Sequence, residues 1–267
     1  MLYLRHKRGI ILAEGKIVRE DLKHDCIECN KLEDDCVENG NCCCKNCFKS
    51  DDVNLLNSLS NNELEFLVDG KQQIKYKPGE TIIKQSTSSS YVVCIREGIA
   101  KVYVEGVKGK NLVVKLVGRL DFITGGGLFN GNIHHFTITA MTPVTCCLID
   151  SSKLTKLFSE NNKFAVELLR HHTKQNNILL NKLVNLTQKY MPGRVADTIL
   201  YLKNDIYKSN PFTVPLTRQD LADMSNMTKE SLVRILQQFK TSELIKTQGN
   251  TFEIIDESAL TSISRNG

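Results

Sequence analysis

The stretch TRQDLADMSNMTKESLVRILQQFKT, residues 217–241, decides the fold of this 267-residue chain. Thr217 is followed three residues later by Asp220, which is the signature of a helix N-cap. Thr228 is placed to cap a second helix, Lys229 to Thr241, and Ser225-Asn226-Met227 forms a three-residue turn between the two. Two short helices joined by a tight turn predict a helix-turn-helix.

The second helix is predicted to have a buried and an exposed face. Its apolar residues follow the spacing i, i+3, i+4, i+7: Leu232, Ile235, Leu236 and Phe239. Glu230 and Arg234 fall on the other face, where Arg suits guanine and Glu suits cytosine in a DNA major groove. Hydroxyls, amides and backbone N–H groups at helix N-termini suit phosphates. The residues placed there are Thr217, Arg218, Gln219 and Thr228.

An ordinary helical hairpin could carry the same charged residues, so the neighbouring sequence is needed to distinguish it from a DNA-binding motif. Residues 1–150 hold 19 basic and 19 acidic residues, whereas residues 151–267 hold 16 and 11, so the net charge of +5 lies in the C-terminal part. A hairpin with its turn at Gly249-Asn250 follows the helices and would form a wing. The caps, the turn, the wing and the charge together favour DNA binding.

The middle of the chain is predicted to be an antiparallel sandwich or barrel, because short alternating runs are cut by glycine at near-regular intervals. The predicted strands are Thr81–Lys84, Tyr91–Arg96, Ile99–Glu105, Asn111–Val117, Phe136–Thr142 and Val144–Ile149.

A long helix, Asn162–Lys189, follows the strands without a Gly or Pro. A helix of this length spans about 42 Å, which is more than a small domain needs. Its predicted apolar stripe is Phe164, Leu168, Leu179, Leu183, Leu186 and Tyr190. We expect it to pack against a second copy of itself, and the alternative is a helix that lies along its own barrel.

Seven of the ten cysteines fall between Cys26 and Cys47, in a segment with few apolar residues. Thiolates suit an iron–sulfur cluster or zinc. Two Cys-x2-Cys pairs, Cys26/Cys29 and Cys44/Cys47, have the spacing of a four-cysteine zinc site. The third possibility is a loose, thiol-rich tail that binds no metal and exchanges disulfides.

The chain has no apolar run of about 20 residues and no signal-peptide core at its N-terminus. We therefore expect a cytoplasmic protein with no membrane partner.

A β-roll whose strands are separated by glycines, then a long helix and a winged helix-turn-helix: this order of elements resembles that of the Crp–Fnr family of transcription regulators. The resemblance covers about residues 55–260 and is closest over Tyr91–Val104, Phe122–Phe129 and Thr217–Ile245. It implies an α+β fold: a cyclic-nucleotide-binding-like jelly roll, a dimerisation helix and a winged helix-turn-helix. The implied domains are a cysteine-rich extension (1–52), the β-roll sensor (53–160), the dimerisation helix (161–191) and the DNA-binding domain (192–267).

The resemblance also implies a homodimer that acts on palindromic double-stranded DNA and RNA polymerase, in the manner of an activator. By resemblance, Thr217, Arg218, Gln219 and Thr228 contact phosphates. The base-reading residues would be Lys229, Glu230, Ser231 and Arg234, on a half-site similar to TGTGA or TTGAT.

Two features of the resemblance concern the signal. Cys26, Cys29 and Cys36 are similar to the N-terminal ligands of an Fnr-type [4Fe–4S] cluster, and Cys147 matches its fourth ligand. The third spacing is one residue too long, and Cys44 and Cys47 are alternative ligands. The Glu and Arg that hold cyclic AMP in this family are missing at Thr124–Phe129 and His134–Thr137, so cyclic AMP is not expected.

The sequence thus predicts a DNA-binding regulator, not an enzyme, that responds to oxygen or redox state. The alternatives are a structural zinc, a thiol switch or a small effector in the roll. An iron–sulfur or thiol redox enzyme lacks support, because the chain shows no nucleophile–base pair and no phosphate-binding loop.

Overall fold

The computed structural model describes residues 5–6, 9–11, 17–18, 54–124 and 127–267. The chain divides into two compact units, residues 1–47 and 48–267. In the first unit, strands β1 (Arg5–His6), β2 (Gly9–Ile11) and β3 (Ile17–Val18) form an antiparallel sheet in sequence order. The predicted metal ligands Cys26, Cys29, Cys36, Cys44 and Cys47 lie outside the described residues.

The second unit begins with two short helices and continues into strands that include the six predicted ones; Gln72–Tyr76 and Phe122–Ile123 are additional. The helices are α1 (Asn54–Asn57) and α2 (Asn61–Val68). The strands are β4 (Gln72–Tyr76), β5 (Thr81–Ile83), β6 (Tyr91–Glu97), β7 (Ala100–Glu105), β8 (Asn111–Val117), β9 (Phe122–Ile123), β10 (Thr137–Ala140) and β11 (Val144–Asp150). They form two four-stranded antiparallel sheets, ordered β5-β10-β7-β8 and β4-β11-β6-β9. This arrangement is the predicted β-roll.

Side chains from both sheets fill the roll, and Ile95, Val102, Ile138 and Cys146 are buried in its core. Because side chains alternate along a strand, Cys147 faces the other side of its sheet, paired in register with Cys94 of β6.

Two helices leave the roll. Helix α3 is Ser151–Glu160, and helix α4 is Asn162–Gln188, capped by the Asn161 side chain, which accepts a hydrogen bond from the Phe164 amide at 3.0 Å. The long helix is confirmed, but its predicted stripe is wrong at the N-terminal end. Phe164 and Leu168 are buried within their own chain, where α4 packs on α1 and α3. Helix α4 is longer than α1 and α3, so its first apolar residues are covered by these helices, whereas its later apolar residues are exposed.

The C-terminal part is a winged helix-turn-helix. Helix α5 (Met191–Tyr201) continues into a π-helical turn (Leu202–Tyr207). Then follow β12 (Phe212–Thr213), α6 (Arg218–Met224), α7 (Lys229–Thr241), β13 (Ile245–Gln248), β14 (Thr251–Ile254) and α8 (Glu257–Asn266). The wing is the antiparallel sheet β12-β14-β13, with the predicted turn at Gly249-Asn250.

The hydrophobic core of this part extends onto one sheet of the roll. Val113 and Leu116 of β8 are buried together with residues of α5, α6 and α7. In the described part of the chain, no helix is both long enough and apolar enough to cross a bilayer.

Candidate nucleic-acid interface

The first helix of the helix-turn-helix is fixed by a reciprocal cap. The Thr217 hydroxyl accepts a hydrogen bond from the Asp220 amide at 3.1 Å, and the Asp220 carboxylate accepts one from the Thr217 amide at 2.9 Å. The predicted cap is therefore confirmed, and it sets the residue at which α6 begins.

One backbone conformation and two hydrogen bonds fix the turn between the helices. Asn226 adopts a left-handed conformation with φ of 49°, and the Met227 amide donates to the Ala222 carbonyl at 3.1 Å. The buried hydroxyls of Ser225 and Thr198 of α5 hydrogen-bond at 2.9 Å. The second helix then starts at the predicted cap, where Thr228 Oγ1 accepts from the Ser231 amide at 3.2 Å.

Helix α7 has the two predicted faces. Its four predicted core residues are buried, whereas Lys229, Glu230 and Arg234 are exposed and Ser231 is half-buried. Glu230 and Arg234 are four residues apart, so they share a face. Hydrogen bonds with its own backbone amide and the Thr228 side chain lower the pKa of Glu230, so its carboxylate is a charged acceptor. The face thus offers two cations and one anion at the N-terminal half of α7.

Three of the predicted phosphate-contacting residues lie at the start of α6, with Thr217 and Gln219 exposed, and the fourth, Thr228, lies at the start of α7. Arg218, which is also predicted to contact phosphate, makes two contacts within its own chain. Its Nη2 donates to the Gly249 carbonyl at the wing turn at 2.8 Å, and its guanidinium lies over the Phe252 ring at 5.1 Å. Arg218 therefore ties α6 to the wing, and no described residue accepts a hydrogen bond from its buried Nη1.

Three contacts between residues far apart in the chain were not predicted from the sequence. Lys182 of α4 donates from Nζ to the Met224 carbonyl at 2.6 Å, and burial lowers the pKa of Lys182 to about 8. Arg194 of α5 donates to the Asn226 carbonyl at 3.2 Å. Lys101 of β7 forms an ion pair with Asp220. The partners are 42, 32 and 119 residues apart, so no local pattern marks them.

Helix α4 leaves apolar side chains in contact with solvent. The exposed residues are Val166, Leu169, Ile178, Leu179, Leu180, Leu183 and Val184. Val166 and Leu180 are two heptads apart, as are Leu169 and Leu183, so these four share one face.

Cys147 is the one predicted metal ligand among the described residues, and it is completely buried in β11. In the described ranges, no three His, Cys, Asp or Glu side chains lie together as metal ligands would. This part of the chain therefore offers no complete metal site by itself.

Comparison with known proteins agrees with this architecture. Residues 193–263 match the Crp-like helix-turn-helix domain, and residues 73–161 match the cyclic nucleotide-binding domain. The chain is 25% identical over 184 residues to the cAMP-activated global transcriptional regulator CRP of Salmonella typhimurium, covering 67% of this chain and 88% of that protein. It is 22% identical over 232 residues to the transcriptional activator protein FnrA of Stutzerimonas stutzeri, covering 83% and 92%.

The fold is similar to that of FixK2 from Bradyrhizobium japonicum, with a TM-score of 0.67, 18% identity, and coverage of 72% of this chain and 96% of that chain. A β-roll joined by a long helix to a winged helix-turn-helix, with a charged face on α7, defines a DNA-binding transcription regulator. The chain belongs to the Crp–Fnr family.

Proposed function

We propose that this regulator binds palindromic double-stranded DNA as a homodimer and reads its bases with Lys229, Glu230, Ser231 and Arg234. The observation that carries the proposal is the charged, exposed face of α7 beside two capped helix N-termini. Thr217, Gln219 and Thr228 would contact phosphates, and Arg218 would do so while it holds the wing.

Helix α4 supports the homodimer. Val166, Leu169, Leu180 and Leu183 repeat on one face at heptad spacing and are exposed in the single chain. A second copy would cover them with the same face, because a twofold interface uses one patch twice. Two recognition helices related by this axis would read half-sites about 34 Å apart, which is one turn of DNA.

The regulator's output is proposed to be transcription activation through RNA polymerase. The name of the relative FnrA, a transcriptional activator protein, supports this output. In this proposal the protein is a regulator and not an enzyme.

For the signal, we infer that the segment 26–47 binds a metal through thiolates, as an oxygen- or redox-sensitive [4Fe–4S] cluster. Seven cysteines in this segment are more than one cluster needs. The Cys147 side chain is completely buried, which favours a ligand set of segment cysteines over one that includes Cys147. Zinc in the same thiolates would order the segment without sensing oxygen.

Cyclic AMP is not the proposed effector, although the roll matches the cyclic nucleotide-binding domain. Burial, and secondly the neighbouring His135, lower the pKa of His134, so its ring is neutral at pH 7. A neutral ring does not supply the positive charge that a buried phosphate needs.

The DNA proposal is tested by gel shift with a duplex selected by the wild-type protein. Arg234→Ala should weaken binding to it by about 5- to 150-fold, or 1–3 kcal/mol, because a bidentate base contact is lost. Lys240→Ala is the matched control, since it removes one exposed cation from the last turn of α7. Equal affinities of Arg234→Ala and the wild type would mean that the helix-turn-helix recognises something else, such as a protein.

The metal proposal is tested by anaerobic purification and assay of iron, sulfide and zinc. We expect about four irons per chain and broad visible absorbance, lost in Cys29→Ser and kept in Cys147→Ser. Stoichiometric zinc without colour would overturn the cluster. If neither iron nor zinc is found, the regulatory signal would act through a thiol switch or an effector in the roll.

A further inference from the structure

The outer face of one roll sheet serves as a docking surface for the DNA-binding domain. In the strand register, Lys101 of β7 lies opposite Leu116 of β8 and Thr139 of β10, and Tyr103 lies opposite Val113. Opposite residues in an antiparallel sheet share a face. Val113 and Leu116 are 1% and 4% exposed and belong to the core of the winged helix-turn-helix. The sensor sheet is therefore one wall of the domain that carries α7.

Lys101 lies on this face and pairs with a carboxylate of the helix-turn-helix. Its Nζ donates to Oδ1 of Asp220 in α6. The side chains of Lys101 and Asp220 are only 21% and 7% exposed. The other carboxylate oxygen, Oδ2, accepts from the Thr217 amide at 2.9 Å and from the Thr217 hydroxyl at 2.6 Å. One carboxylate thus joins the sensor sheet to the cap that starts the first helix.

The charge of Asp220 is kept by these partners. Burial acts to raise the pKa of Asp220, but hydrogen bonds from Lys101 and Thr217 outweigh it and hold the pKa below its usual range. The groups around it are Lys101, Thr217 and the acid Asp223 one turn on, whose pKa is raised by burial. Without Lys101, a buried anion would stand uncompensated beside side chains proposed to contact phosphate.

We propose that Lys101, a residue of the sensor sheet, is a positioning residue for DNA binding: through Asp220 it holds α6, and hence the recognition helix, in its docked orientation. This inference rests on the proposed DNA binding. The sensor would then control the helix-turn-helix through a direct contact, in addition to the link along the chain through α4. Lys101 acts through Asp220 and makes no phosphate contact of its own.

The test is DNA affinity of the full chain, measured with the selected duplex over a range of salt concentrations. Lys101→Met should weaken binding about tenfold, and Lys101→Arg should restore it, because Arg keeps the charge-assisted hydrogen bond. The salt dependence of log affinity should keep its slope, since no phosphate contact is lost. Lys84→Met is the control: Lys84 pairs with Glu105 within the roll at 2.6 Å and should bind like the wild type.

A double-mutant cycle identifies the partner. Asp220→Asn retains an oxygen that can cap α6 but loses the charge, and Lys101→Met combined with Asp220→Asn should bind no more weakly than Lys101→Met alone. Thermal unfolding checks each variant, and Lys101→Gln takes the place of Lys101→Met if the latter does not fold.

Three results would overturn the inference while wild-type binding stands. These are a Lys101→Met affinity within twofold of wild type, additive effects in the cycle, or a salt slope reduced by about one, the mark of a lost phosphate contact. Failure of the wild-type protein to select any duplex would instead overturn the proposed function.

Discussion

Helices α4 and α7 each leave one face in contact with solvent, and the two faces differ in chemistry. Helix α7 presents Lys229, Glu230 and Arg234, whereas α4 presents leucine and valine at heptad spacing. Charged and hydrogen-bonding groups suit the phosphates and base edges of DNA, and an exposed apolar stripe suits another apolar surface. The same kind of observation, an uncovered helix face, therefore leads to two different partners.

The two helices also differ in how each buries its other face. The core stripe of α7 packs within a single domain, so the sequence period and the burial agree residue by residue. Helix α4 passes the roll and then the helix-turn-helix, so Phe164 and Leu168 are covered by their own chain while Leu180 and Leu183 are not. Periodicity identifies an apolar stripe, but it does not say which molecule covers it.

The largest expected effect comes from placing a charge on the apolar face of α4. Leu180→Glu should give a monomer and weaken binding to a palindromic duplex by more than about 100-fold, because both half-sites no longer act together. Sedimentation gives the oligomeric state, and a gel shift gives the affinity. Leu180→Met keeps the apolar volume and should stay dimeric. A Leu180→Glu variant that remains a dimer would show that another surface joins the two copies.

A smaller effect is expected at the apolar residue on the charged face of α7. Val233 is 47% exposed next to Arg234, where its methyl groups could contact a thymine methyl. Val233→Ala should reduce affinity by about three- to tenfold at duplexes with thymine at one position, and leave other duplexes unchanged. Binding to a panel of single-base variants measures this. A uniform loss across the panel would point to disturbed packing instead of base contact.

The smallest effect concerns the side of α4 that faces its own chain. Burial, then the neighbouring His172 and Lys115, lower the pKa of His171 to about 4, against a backbone hydrogen bond with Phe122 that raises it. Because the unfolded chain takes up a proton below pH 6.5 and the folded chain does not, stability should fall as the pH drops toward 4.

Between pH 7 and 5 we expect His171 to contribute a loss of about 1 kcal/mol, after allowing for solvent screening. Urea unfolding at both pH values measures the total, and His171→Gln should remove this part of it. An identical loss in the variant would assign the acid sensitivity to other groups, such as His172 and His134, whose pKa values burial also lowers.

Local signals in the sequence were sufficient for six of the strands of the roll, the two caps and the faces of α7, but β4 and β9 were not predicted. Thr217 and Asp220 are three residues apart, and the stripe of α7 spans two turns, so short-range physics fixes both. Lys101–Asp220 and Arg218–Gly249 were not predicted, since each depends on how separate elements pack. The same limit applies to the docking of Val113 and Leu116 against the DNA-binding domain.

We propose above that two copies, joined through α4, read a symmetric site with α7. The most direct test of this proposal is selection from random duplexes by the full chain, followed by sequencing and footprinting. We expect an enriched palindrome with half-site centres about 10–10.5 base pairs apart, protected on both sides. Enrichment of a single, unpaired half-site, or of no sequence, would contradict the proposal.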